Sequence, residues 1–114
     1  MKHKLFLISV LSLFLVALCS CKEERVTCKI ITPENEDVFW TFQDIPVTVE
    51  ASTSKGSIIQ VEIFVDDKVI ESLTEPPYKF TIPARAVDTG THYLTAAAFS
   101  STNQEVDNIF IIIK

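Results

Sequence analysis

The residues of this chain that could do chemistry are few and poorly spaced for it. Beyond position 20 there is one histidine, His92, set in Asp88-Thr89-Gly90-Thr91-His92-Tyr93-Leu94. A lone imidazole cannot build a triad, and no motif places a serine or cysteine nucleophile beside it. A zinc site needs several histidine or cysteine ligands, which the chain lacks. Acidic residues gather in two places, Glu34, Glu36 and Asp37 in one, Asp66 and Asp67 in the other. Neither follows the twelve-position loop with a glycine at its bend that wraps calcium, so both read as solvated turns. The residues point to no catalytic group, no metal and no cofactor.

Rings are the other candidates. Phe39, Trp40 and Phe42 form the densest aromatic group. With strand alternation Trp40 and Phe42 face one way and Phe39 the other, so this segment is a place where a large ring could reach the surface. Exposed rings offer flat stacking platforms to sugars and apolar contact to proteins. The plainer reading, which composition favours, makes the group a core plug in a domain with no disulfide to pack around. Phe64 and Tyr93 lie out of phase with their inward neighbours and would extend a patch on a sheet face. Trp40, Phe42, Phe64 and Tyr93 are therefore the candidate binding residues.

These residues must be positioned by strands. From residue 25 onward apolar residues recur with period two, the mark of half-buried strands, and helical spacing is almost absent. The pattern predicts strands over Val26 to Thr32, Ile45 to Ala51, Ile59 to Val65, Val69 to Leu73, Tyr78 to Ile82, Thr91 to Phe99 and Val106 to Ile113. Pro33 to Asp37 and Ser52 to Ser57 read as turns, Asp66-Asp67-Lys68 as a tight hairpin, and Pro83 to Gly90 as a longer loop. Pro46 has no amide hydrogen, which suits a strand start or an edge. About seven short strands in one small domain predict an all-β fold, two packed antiparallel sheets in a β-sandwich. Ile109 to Ile113 is apolar on both faces and aggregation-prone at an edge, so it is expected between neighbours.

The N-terminus is of a different kind. Lys2, His3 and Lys4 precede an apolar run from Leu5 to Leu18 broken only by Ser9 and Ser12, and every acidic residue follows it. A basic tip, an apolar stretch of this length and a small residue at the boundary describe a secretory leader, residues 1–20. A spanning helix, the rival reading, needs about 20 apolar residues. Without the leader, eight Lys and Arg stand against fifteen Asp and Glu, a net charge of −7. Such a surface repels phosphate backbones and no basic cluster offsets it, which argues against nucleic acid as a partner.

Leu18, Ser20 and Cys21 resemble the lipobox of bacterial lipoproteins. The resemblance implies cleavage before Cys21 and attachment of a diacylglycerol, with palmitate among its acyl chains, to the thiol. Cys19 then leaves with the leader. One chain holds a protein marginally and two or three hold it firmly, at about 0.8 kcal/mol per buried methylene. Lys22, Glu23 and Glu24 resemble the export signal of Bacteroidetes surface lipoproteins, so residues 21–25 are expected to be an acylated tether at the outer membrane facing the exterior. Solvated tether residues, with periplasmic retention, are the alternative. Cys28 is then the one remaining thiol, so no intradomain disulfide can form. Its phase with Val26 and Ile30 makes it a buried small apolar residue rather than a reactive thiol.

The segments GSIIQVEIFVDDKVIESLTEPPYKF and DTGTHYLTAAAFS resemble bacterial immunoglobulin-like domains of the kind appended to secreted glycoside hydrolases and adhesins. The resemblance covers Ile30 to Lys114 and implies an immunoglobulin-like sandwich over residues 26–114 acting as spacer, platform or binder. Asp67 stands where the family often has glycine at the hairpin. His92 falls two residues before a buried strand position, where antibody-type domains place a structural corner tyrosine that bonds back to backbone. The expectation is a non-catalytic, lipid-anchored binding or assembly module for a protein partner or a polysaccharide. The alternatives are a small secreted enzyme or a purely structural periplasmic lipoprotein.

Overall fold

The computed structural model describes residues 24–114 of the chain. Its strands are β1 (Val26–Thr32), β2 (Val38–Phe39), β3 (Ile45–Thr53), β4 (Gln60–Val65), β5 (Lys68–Leu73), β6 (Tyr78–Ile82), β7 (Gly90–Phe99) and β8 (Gln104–Ile113). They form a three-stranded sheet in the order β1-β3-β6 and a five-stranded sheet in the order β2-β8-β7-β4-β5. The period-two pattern thus produced the sandwich it predicts, with strand ends displaced by a residue or two. The added strand is β2, which pairs parallel to β8 through Val38 to Ile112 and Phe39 to Ile113.

The inward positions are those the alternation selects. Val26, Ile30, Ile45, Val47, Val49, Tyr78 and Ile82 come from the smaller sheet, and Val61, Ile63, Leu94, Ala96, Ala98, Ile111 and Ile113 from the larger. Fully burying one such Val, Leu or Ile side chain is worth about 1.5–3 kcal/mol, and this shared interior is what holds two sheets together without a disulfide. Cys28 packs against that core half-buried, with its thiol 3.5 Å from the Ala96 carbonyl oxygen. Burial, then the neighbouring Asp107 carboxylate, pushes the thiol up to about 11, so it stays protonated at neutral pH.

Two local features follow from chemistry in the sequence. Asp66 and Asp67 both take positive φ, 49° and 67°, with Val65 paired to Lys68 across the turn. This is the primed two-residue geometry whose twist matches the flanking strands. Pro46 lies in β3 opposite Thr81 of β6, beyond the point where β1 stops pairing, so β3 has one neighbour where it lacks an amide hydrogen.

The apolar end of β8 has its outer edge covered. Ile112 N donates to Asp37 O at 2.9 Å, Glu36 N to Phe110 O at 2.8 Å and Lys114 N to Phe39 O at 2.8 Å, while Phe110 N donates to Asn35 Oδ1 at 2.9 Å. Residues 35–41 therefore occupy the backbone groups through which Ile109–Ile113 could template aggregation. Further along that edge, Ile30 N of β1 donates to Asp107 Oδ2 of β8 at 2.8 Å, stitching the two sheets where β1 bulges between Ile30 and Thr32.

The antiparallel registers sort the connections to two ends. One end, here the base, carries Glu24 and the turns around 54–57, 74–77 and 100–103. The other, the tip, carries 33–37, 40–44, 66–67, 83–89 and Lys114. β8 runs the whole way between them, and its ten residues span roughly 30 Å at about 3.3 Å per residue.

Candidate functional site

At the tip, strand alternation continues for one residue past β2. Val38 is exposed, Phe39 turns inward onto the core and Trp40 is exposed again. Phe42 follows on the same side, and the two rings stack with centroids 6.2 Å apart and planes 7° from parallel. Trp40 is 52% and Phe42 63% exposed, so the core-plug reading is corrected: of this group only Phe39 packs inward. The reason is the chain's course. Thr41 N donates to Lys114 O at 2.9 Å and Thr41 O accepts from Arg85 N at 2.7 Å, which fixes the segment along the rim of the sandwich rather than across its interior.

The loop bearing the rings is held on all sides. Trp40 N donates to Gln43 Oε1 at 2.7 Å and Gln43 N returns a bond to Trp40 O at 2.9 Å. Asp44 Oδ1 accepts from Ala84 N at 2.8 Å, tying the loop's end to the 83–89 segment. An exposed ring pair on fixed backbone is preorganised, so contact there orders little protein.

The other two candidates lie elsewhere, on the outer face of the five-stranded sheet. Tyr93 is exposed opposite Phe110, and Phe64 sits half-buried opposite Thr95, diagonal to Tyr93. Thr91 pairs with Ile112, and Ile112 with Val38, so outer-face positions run from Phe64 and Tyr93 through Phe110 and Ile112 to Val38 beside Trp40. Phe110, Ile112 and Val38 were not singled out from sequence. Only β8's register against β7 and β2 brings them into line with Tyr93, and Ile109–Ile113 by itself looks like uninterrupted core.

His92 stands at the tip on the inward phase of β7. Its Nε2 bonds the Asp88 carbonyl oxygen at 2.7 Å and its Nδ1 bonds Asp66 Oδ2 at 2.5 Å. Asp66 Oδ1 also accepts from Tyr93 N at 2.9 Å. Burial alone would lower the imidazole's pKa, but the bonds to Asp66 and Asp88 outweigh it and raise the value above 6.5. The hydrogen bond from His92 holds the Asp66 carboxyl below its ordinary range. Both ring nitrogens face acceptors, so the ring that satisfies both is doubly protonated. Such a ring has no lone pair with which to take a proton from a substrate. Beside it, a cleft of about 640 Å³ opens between the edges of β5 and β6, walled by Val65, Ile70, Phe80, Ile82 and Val87.

The acidic turns have structural partners: Asp37 Oδ2 accepts from Glu34 N at 2.8 Å, and Asp66 is engaged as above. Among the described residues no three His, Cys, Asp or Glu side chains are grouped to hold a metal ion. Cys21, Lys22 and Glu23 lie outside the described residues. Glu24 is part of the fold. Its Oε1 accepts from Ser100 Oγ at 2.5 Å and Thr102 Oγ1 at 2.9 Å, and its Oε2 from Thr53 Oγ1 at 2.9 Å. These bonds, Ser100's foremost, hold its carboxyl below the ordinary range.

Two facing sheets, closed by short turns around one apolar interior, define an immunoglobulin-type sandwich. The bacterial Ig domain model matches residues 27–96, and the chain belongs to that family. It resembles the fibronectin(III)-like modules of Clostridium thermocellum CbhA, at 29% identity and TM-score 0.71, over 81% of this chain and 48% of that one. It also shares its fold with part of an endo-β-1,4-mannanase from Thermotoga petrophila, at 14% identity and TM-score 0.65, over 83% of this chain and 20% of the enzyme. A lytic polysaccharide monooxygenase from Jonesia denitrificans is similar at 13% identity and TM-score 0.51, over 72% of this chain and 60% of that one. The chain thus spans about half of the fibronectin(III)-like chain and a fifth of the mannanase. None of the curated proteins matches it.

Proposed function

We propose that this protein is a non-catalytic, lipid-anchored immunoglobulin-like module that binds a surface ligand through Trp40 and Phe42. The observation that carries the reading is the exposed, parallel ring pair on a fixed loop at the tip, the end opposite Glu24 and the N-terminal anchor. An exposed ring of a parallel stacked pair offers its open face to the flat apolar face of a pyranose, and a polysaccharide is the ligand class that it favours. That two structural neighbours are a mannanase and a polysaccharide monooxygenase is consistent with a module of this fold working beside glycans. The row from Phe64 and Tyr93 to Val38 supports a second reading, a protein partner seated on the outer sheet face in a shared assembly.

The anchor is acylated Cys21, which places the protein at the outer membrane, facing the exterior. Lys22, Glu23 and Glu24 are the export signal, and of these the Glu24 carboxylate is engaged with Thr53, Ser100 and Thr102. The test is binding of the mature protein to a panel of insoluble and soluble polysaccharides, with Trp40→Ala and Phe42→Ala beside Tyr93→Ala. Loss of binding at least tenfold in the first two, with unchanged melting, supports the glycan reading. Binding lost only in Tyr93→Ala, together with a stoichiometric co-purifying protein, supports the second. Unaltered binding in all three would remove the rings from the function.

A further inference from the structure

The ordered fold begins earlier than the strand pattern suggests. Besides its three side-chain bonds, Glu24 offers its carbonyl to Asn103 Nδ2 at 3.4 Å. Arg25 N donates to Ser54 Oγ at 2.8 Å, and Ser54 N returns a bond to Arg25 O at 3.0 Å. The backbone is therefore fastened to the base from Glu24 onward. Three residue steps separate Cys21 from Glu24, and even fully extended they reach only about 10 Å. A headgroup layer is itself about 5–8 Å deep on each side of the hydrocarbon. An acyl group on Cys21 thus leaves the base at most about 5 Å of clearance beyond that layer.

Charge differs between the two ends. At the base, Glu24 and Glu75 are balanced by Arg25 and Lys55, and the turns at 54–57 and 100–103 read Ser-Lys-Gly-Ser and Ser-Ser-Thr-Asn, with no carboxylate of their own. At the tip, Glu34, Glu36, Asp37, Asp44, Asp66, Asp67 and Asp88 outnumber Arg85 and Lys114. An anionic bilayer therefore repels the tip more than the base.

We propose that the turns at 54–57 and 100–103 form a lipid-facing surface, and that the sandwich stands with its base on the headgroups, holding Trp40 and Phe42 roughly 30 Å out. The inference rests on acylation of Cys21 and adds what that acylation alone does not require. A long flexible tether would let the domain tumble, whereas two intervening residues and the Glu24 clamp hold one end down.

The experiment uses the acylated mature protein in vesicles of phosphatidylethanolamine and phosphatidylglycerol. In a Cys28→Ser background, a fluorophore is placed at Ser57→Cys or Ser101→Cys on the base, and at Gln43→Cys or Asp67→Cys on the tip. Lipids carrying a nitroxide on the headgroup should quench the base labels at least threefold more than the tip labels. Inserting ten Gly/Ser residues after Glu23 should bring the two sets together. Equal quenching of base and tip in a protein that carries the acyl mass and floats with the vesicles would overturn the seating while leaving the anchor intact. A protein that lacks the acyl mass and stays in solution would overturn the anchor, and the seating with it.

Discussion

Replacing His92 with Ala should destabilise the domain in a pH-dependent way. In the folded state the imidazolium joins three elements: the β4–β5 turn through Asp66, β7 on which it sits, and the 83–89 loop through the Asp88 carbonyl. Its pKa is raised above 6.5 on folding, so its contribution is fully present below pH 6.5 and is lost as pH rises through the folded value. Asp66 has its pKa lowered from 3.8, so its contribution is present above pH 3.8 and is lost as pH falls through the lowered value. Both are complete in the window between those ordinary values. A hydrogen bond to a charged group is worth about 1.5–3 kcal/mol. The Asp66 side chain is 47% exposed, and solvent screening brings the pair to about 1 kcal/mol. For a domain of this size that is about 4–8 °C in Tm. Circular-dichroism melts of the wild type and His92→Ala at pH 5.5 and pH 8.5 read it directly, and the deficit at pH 5.5 should exceed that at pH 8.5 at least twofold. Asp66→Asn and the double variant complete a cycle with a coupling of about 1 kcal/mol at the lower pH. An equal deficit at both pH values would show that the ring contributes packing alone, and the charge-pairing argument would fail.

Three further substitutions probe the fold around the site. Asp107→Ala strips the acceptor from the amide of buried Ile30 and should cost about 1–3 kcal/mol in denaturant melts, with Asp107→Asn costing less because it keeps an acceptor oxygen. Either change also removes a charge that, after burial, helps to push the Cys28 thiol up to about 11, so Cys28 should react with a thiol reagent at a lower pH than in the unaltered protein. Asp67→Gly relieves a positive φ of 67° and should stabilise the hairpin by a few tenths to about 1 kcal/mol; a lower Tm would refute the turn assignment. Glu24→Ala should lower Tm and quicken amide exchange at Arg25 and Ser54.

Period-two alternation by itself determined the fold class, seven of the eight strands, and which residues of each of these strands share a face. It placed Leu94, Ala96 and Ala98 together, and set Phe39 against Trp40 and Phe42. Turn chemistry marked the Asp66-Asp67 hairpin, and Cys28 is the one thiol among the described residues, so no disulfide forms within them. These are local properties, set by backbone geometry over a few residues, and a sequence displays them directly. Which face of the Phe39–Phe42 segment looks inward is not local. It was decided by the bonds of Thr41 to Lys114 and Arg85, residues more than 40 positions away. The same holds for Asp66 with His92, Asp107 with Ile30, and Glu24 with Ser100, separated by 26, 77 and 76 positions. In the sequence Asp66 reads as a solvated turn and Glu24 as tether, and nothing marks Asp107 within its strand. A carboxylate's partner is fixed by the packing of two sheets, so only the tertiary structure distinguishes a surface charge from a clamp.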